Sequence, residues 1–77
     1  MALIRHFKKE LRDKYQTHHE IEAKYYVLGE GETKLVQIAT FGRNTREKPG
    51  KQSQTIQLDR VGGKALFNIL KKEFGFG

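Results

Sequence analysis

Two segments with alternating side chains, joined by a glycine-rich turn, constrain the fold of this chain most strongly. In residues 19–28, apolar side chains occupy every second position, and residues 34–41 are rich in β-branched residues. The sequence GEGE at residues 29–32 provides two glycines for positive φ angles between them. The pattern predicts an antiparallel hairpin. Because residues 34–41 are largely apolar on both faces, we expect them to form a central strand.

A third strand and a helix are predicted in the last part of the chain. Polar and apolar residues alternate in Gln52–Leu58, and Asp59 then stands where a helix N-cap is expected. The apolar stripe of this helix continues to Phe74, and Gly75 is placed to end it. Gly62 and Gly63 weaken the first turn, and they permit close approach of another backbone.

The N-terminal residues 2–16 have the apolar spacing of an amphipathic helix, at Leu3, Ile4, Phe7 and Leu11. The predicted order is therefore α-β-β-β-α. We expect one α+β domain spanning residues 1–77, with an antiparallel sheet of three to four strands and both helices packed on one face. This arrangement leaves the other face open. The core predicted from the helices and strands comprises Leu3, Phe7, Leu11, Ile21, Val27, Ile38, Ile56, Leu58, Leu66, Ile69, Leu70 and Phe74.

A basic loop, GRNTREKPGK at residues 42–51, separates the second and third predicted strands. The loop contains four cations and a single acid, Glu47, and the whole chain has a formal net charge of +6 at pH 7. This distribution favours a polyanionic partner. The alternative interpretation is a solvated basic surface with no specific ligand. The cations of the loop are Arg43, Arg46, Lys48 and Lys51.

Nucleic acid is the partner that best fits this charge, because a cationic groove with aromatic faces holds unpaired bases. Tyr26 is a candidate for stacking, and Gln54 and Gln57 supply donors and acceptors for base edges. Lys24 and Lys34 add charge on the hairpin. Each aromatic residue has an alternative role in the core, which we favour for Tyr25 and Phe41.

Catalysis is not expected. The chain has no cysteine, and adjacent His18 and His19 point to opposite sides of an extended chain. His6 and Glu10 give only two ligands, so no metal or other cofactor is predicted. No apolar run reaches the length of a membrane span, and no signal segment is recognised, so we expect a cytoplasmic, intracellular protein.

From residue 20 onward the chain resembles the positive-cofactor-four family of single-stranded-DNA-binding transcriptional coactivators, and more distantly the Whirly proteins. The resemblance lies in the hairpin, the tetrad KPGK at residues 48–51, the strand with Ser53 and Thr55, and the amphipathic helix. It implies four strands without a required N-terminal helix, a helix that dimerises, and a non-enzymatic role in transcription or another DNA transaction.

Two other classes of protein remain open. The order α-β-β-β-α is also that of the double-stranded-RNA-binding domain, although only Gly62, Gly63 and Lys64 stand where that domain has its basic cluster. A small protein of a phage or mobile element that binds a host protein is the third possibility. A homodimer is also predicted, because Phe67 lies off the main helix stripe and Phe76 follows the helix end.

Overall fold

A hairpin next to a third antiparallel strand forms the centre of the computed structural model, which describes residues 1–41 and 52–77. Within these residues the strands assemble into one sheet in the order β1-β4-β3-β2, followed by one α-helix. A single 3₁₀ turn, Gly31–Thr33, connects β2 to β3. The elements are β1 Ala2–Leu3, β2 Ala23–Leu28, β3 Leu35–Phe41, β4 Gln52–Leu58 and α1 Arg60–Phe74.

The predicted hairpin and central strand are confirmed. β2 pairs antiparallel with β3, with Tyr26 opposite Gln37, and β3 pairs antiparallel with β4, with Gln37 opposite Gln57. Gly29 and Gly31 adopt φ angles of 73° and 57° in the turn, a conformation that side-chain-bearing residues rarely adopt. β3 therefore has a hydrogen-bonded neighbour on each side.

The predicted N-terminal helix is wrong. Ala2–Leu3 instead forms β1, which runs parallel to β4 with Ala2 opposite Ile56. The amide of Ile4 continues the pairing by donating to the Gln57 carbonyl at 2.9 Å. The physical reason is the edge of β4, whose backbone groups need partners that an N-terminal helix cannot supply. The antiparallel, two-helix fold is thereby corrected to a mixed sheet with one helix in the described residues.

The C-terminal helix begins and ends at the predicted residues. The Asp59 carboxylate accepts a hydrogen bond from the Gly62 amide at 2.9 Å through Oδ1. Its Oδ2 lies 2.9 Å from Nε of Arg5, so the cap is also joined to the N-terminal segment. The Gly62 amide is the main cause that lowers the pKa of Asp59, and the charge of Arg5 lowers it further. Gly75 ends the helix in the left-handed conformation, with φ 74°.

The N-terminal segment lies against the helix, and Gly62 makes this possible. Gly62 is buried, and a Cβ atom there would collide with the carbonyl oxygen of Ile4. Further along, Nζ of Lys9 lies 3.5 Å from Oε2 of Glu73. The expectation that a glycine here admits another backbone is confirmed at Gly62. At Gly63 the position of a Cβ has no neighbouring atom within 4 Å.

The predicted core forms only in part. Among the described residues, Ala39 and Leu58 are the buried apolar side chains, while Leu11 is 94% exposed and Phe74 is 69% exposed. The chain has 7412 Å² of accessible surface, against roughly 4,800 Å² for a compact monomer of this mass. Its radius of gyration is 14.9 Å, against about 11.5 Å for a compact chain of this length. Within the described residues, much of the helix stripe is therefore left uncovered.

The two adjacent glycines of α1 give a matched pair for testing the docked N-terminus. Gly62→Ala should lower the free energy of unfolding by about 1–3 kcal/mol, because its Cβ displaces the Ile4 backbone. Gly63→Ala should raise it by up to about 1 kcal/mol, because alanine favours the helix and meets open space. Urea unfolding of both variants at one protein concentration measures the difference. Equal effects would contradict the docking.

The lowered pKa of Asp59 predicts a loss of stability in acid. A carboxyl group with a depressed pKa in the folded state stabilises the protein above its ordinary value of 3.8, and this contribution disappears as the pH falls through the folded value. Asp59→Asn keeps a good N-cap but cannot ionise. Urea unfolding between about pH 6 and about pH 3 should therefore show a smaller acid loss in Asp59→Asn than in the parent chain. An equal loss of stability in the two proteins would show that ionisation of Asp59 does not contribute to the effect of acid.

Candidate nucleic-acid interface

The strand register divides the polar and aromatic side chains between the two sheet faces. Tyr26, Gln37 and Gln57 are opposite one another on three adjacent strands, and so are Lys24, Ala39 and Thr55. We call the face that carries these rows the Tyr26 face. The alternate residues form the Leu58 face. They are Tyr25, Val27, Val36, Ile38, Thr40, Gln54, Ile56 and Leu58.

Side chains on the Tyr26 face contact one another across strands. Nζ of Lys24 lies 5.0 Å from the centroid of the Phe41 ring, within the range of a cation–π interaction. Nε2 of Gln57 donates to Oε1 of Gln37 at 2.9 Å. These contacts hold a cation beside an aromatic ring at one end and two amides together in the next row. The amide pair retains donor and acceptor capacity for a ligand, because each amide has more sites than this bond uses.

The Tyr26 face is exposed along its β2 edge and covered at its centre. Ala39 and Thr55 are buried, while Tyr26 is 39% exposed and Lys24 is exposed. The expectation of a wholly open sheet face is therefore corrected. The part that a ligand can reach is the row of side chains on β2, with the amides of Gln37 and Gln57 half-buried beside it.

Charge on the sheet has one sign. β2, β3 and β4 contain no aspartate or glutamate, and Lys24 is the only charged residue among their twenty positions. A polyanion that approaches either sheet face therefore meets no strand carboxylate. The carboxylates nearest in sequence, Glu22 and Asp59, lie just before β2 and just after β4.

Three of the predicted binding residues are brought together, and two lie elsewhere. Lys24, Tyr26 and Gln57 share the Tyr26 face. Gln54 is exposed on the Leu58 face, opposite Thr40. Lys34 lines a cavity on that same side, together with Val36 and Leu58. The remaining predicted residues lie outside the described residues, so their positions are not part of the site geometry. They are Arg43, Arg46, Lys48 and Lys51.

Two residues of this face were not predicted as binding residues. Gln37 is one of them, and the signal that finds it is the strand register, which places it opposite both Tyr26 and Gln57. Phe41 was interpreted as core, yet it lies half-buried under the Lys24 ammonium group. Alternation in the sequence places Phe41 on the side of Gln37, but it does not show that Lys24 reaches its ring.

Within residues 1–41 and 52–77, no three histidine, aspartate or glutamate side chains cluster as a metal site would require. The helix in this part of the chain is too short and too polar to cross a bilayer.

No protein-family profile, no curated protein and no solved structure matches this chain.

Proposed function

We propose that this protein is a non-enzymatic binder of single-stranded nucleic acid. The observation that carries the proposal is the Tyr26 face, which combines an exposed aromatic ring, a lysine and paired amides on strands without acids. Aromatic rings stack on unpaired bases, and amides bond to base edges that pairing would otherwise occupy. These features favour a single strand, DNA or RNA, over a duplex.

Phosphate contacts are assigned to the basic loop. The sequence places four cations and one acid in residues 43–51, directly between β3 and β4. Lys24 adds a charge from the exposed edge of β2. Cations of this kind supply affinity that does not depend on base sequence, while Tyr26 and Gln57 supply the preference for unpaired bases. The loop cations are Arg43, Arg46, Lys48 and Lys51.

The arrangement of elements supports the single-strand proposal over the double-stranded-RNA alternative. That alternative required a helix before the first strand, and residues 2–16 form a short strand and irregular backbone. From residue 20 onward the described residues form three strands followed by one helix, whereas the resemblance to the positive-cofactor-four family implied four strands, and β1 lies before that region. A role in transcription or another DNA transaction rests on that resemblance alone.

We also propose that the protein acts as a homodimer. The apolar side of α1 is uncovered, with Phe67 56% exposed and Leu70 exposed. At the helix end, the rings of Phe74 and Phe76 contact each other in a tilted arrangement, with centroids 5.6 Å apart, and both are exposed. The chain exposes roughly 2,600 Å² more than a compact monomer would. Obligate dimer interfaces bury about 2,000–5,000 Å² summed over both chains, so covering part of this excess on each chain would suffice.

Single-strand binding through Tyr26 is tested with the neighbouring tyrosine as a matched control. Tyr26→Ala should weaken binding of a fluorescent single-stranded oligonucleotide by about 1–3 kcal/mol, because one stacked base is lost. Tyr25→Ala, which removes the same side chain from the opposite face, should change affinity little. Fluorescence anisotropy on single and double strands measures both effects.

Salt dependence distinguishes nucleic-acid binding from a protein-partner role. If about four cations reach phosphates, the logarithm of the binding constant should fall with the logarithm of salt concentration at a slope of about −3. Changing Arg43 and Arg46 to Ala should weaken single- and double-strand binding alike. Absence of binding to every oligonucleotide at low salt would reject the proposal and favour a protein partner.

If Tyr26→Ala unfolds the protein, the Tyr26 ring belongs to the core and is not the group that stacks on bases.

The dimer is tested at two adjacent helix positions. Phe67→Glu should weaken self-association by about 2 kcal/mol or more, because a charge would be buried in the apolar contact. Asn68→Glu introduces the same charge at an exposed polar position and should leave self-association unchanged. Sedimentation equilibrium at several concentrations reports the mass. A parent chain that stays at 8.9 kDa at high micromolar concentration would reject the dimer.

A further inference from the structure

A cavity on the Leu58 side of the sheet is not used by the proposed strand-binding site. It has a volume of about 410 Å³ and lies between the β2–β3 turn, the ends of β3 and β4, and the first turn of α1. This volume falls within the range of small-molecule pockets, about 300–1,000 Å³. Its surface is mainly apolar, with Val36 and Leu58 supplying strand side chains. Leu58 is one of the few buried side chains among the described residues, so packing holds this wall of the cavity in place.

Three cations converge on this cavity from two separate elements. Lys34 comes from the end of the β2–β3 turn, while Arg60 and Lys64 lie one turn apart at the start of α1. Among the described residues, these three side chains have no carboxylate partner within 4.0 Å, since the ion pairs found there are Arg5–Asp59 and Lys9–Glu73. Their charges are therefore available to a ligand.

The single acid in the lining does not cancel this charge. Asp59 accepts the Gly62 amide through one oxygen and pairs with Arg5 through the other, both at 2.9 Å. Arg5 does not line the cavity, so it neutralises Asp59 from outside. Glu32 lines a separate, smaller depression that shares Asp59 and Arg60. The cavity therefore combines an apolar surface with an excess of positive charge.

We propose that this cavity binds a small organic anion with an aromatic ring, of the size of a nucleoside monophosphate. The ring would contact Val36 and Leu58, and the anionic group would be held by Lys34, Arg60 and Lys64. The apolar surface argues against a bare phosphate group as the whole ligand. The cations argue against an uncharged ligand, because burying them without a counter-charge is unfavourable.

Adenosine 5′-monophosphate is a suitable probe, with adenosine and inorganic phosphate as its two halves. Titration of the protein with each, followed by ¹H–¹⁵N NMR, should give a dissociation constant for the monophosphate between about 10 μM and about 1 mM. Each half should bind at least about tenfold more weakly. The shifts should map to Gly31, Val36, Leu58 and Gly63. Shifts on the Tyr26 face, or equal affinity for adenosine, would overturn the proposal.

Gly63 permits a variant that fills the cavity without disturbing the fold. It lines the cavity, and a Cβ there has no neighbouring atom within 4 Å. Gly63→Leu should therefore retain the helix and lower affinity for the monophosphate at least about tenfold. Lys64→Ala should lower it several-fold without changing the weak binding of adenosine. Lys71→Ala is the matched control, because it removes a lysine of the same helix away from the cavity.

These variants separate the cavity from the other proposals. Gly63→Leu should bind single-stranded oligonucleotides as the parent chain does, so the two sites succeed or fail independently. Loss of self-association in Gly63→Leu, together with no binding of the monophosphate by the parent chain, would show that a second copy fills the cavity, and the ligand proposal would be wrong. Displacement of the monophosphate by a 5′-phosphorylated oligonucleotide, but not by its 5′-hydroxyl form, would assign the site to a strand end. No displacement by either would assign it to a free small molecule.

Discussion

The contact between the Ile4 backbone and Gly62 joins the three parts of this small protein. β1 extends the sheet along the edge of β4, and the helix starts two residues after β4 ends. Because Gly62 has no side chain, the chain that leaves β1 can pass directly over the first turn of α1. Arg5 then pairs with the Asp59 carboxylate that caps the helix. The absence of a side chain at Gly62 thus allows the N-terminal segment to contact both the edge of the sheet and the helix cap.

The apolar surface that remains exposed on α1 is suited to contact with a second copy of the chain. A chain of 77 residues has few apolar side chains to bury, and the strand that α1 chiefly contacts is β4. Apolar side chains of α1, including Phe67 and Phe74, remain in water. Folding therefore provides a stable sheet and a capped helix but leaves apolar area uncovered. Exposed apolar area of this extent is typical of interaction surfaces.

The two sheet faces offer different groups to a ligand, because successive side chains of a strand point to opposite faces. On the Tyr26 face, an aromatic ring, a lysine and two amides lie in adjacent rows. On the other face, Val36 and Leu58 lie under the start of the helix, where cations from the turn and the helix converge. A one-residue shift in strand pairing would exchange these side chains and destroy both sites. Strand register is therefore the property on which both proposed sites depend.

Features that local chemistry controls could be predicted from the sequence alone: the turn glycines Gly29 and Gly31, the alternation of β2 to β4, and the Asp59 and Gly75 caps of α1. It also identified Lys24, Tyr26 and Gln57 as candidates, because alternation places side chains on faces. The conformation of residues 2–16 depends instead on tertiary contacts, since their helical spacing competes with the open edge of β4 for backbone hydrogen bonds. Register and proximity, which bring Gln37 to Gln57 and Lys34 to Lys64, arise from contacts distant in sequence, and no local pattern encodes them.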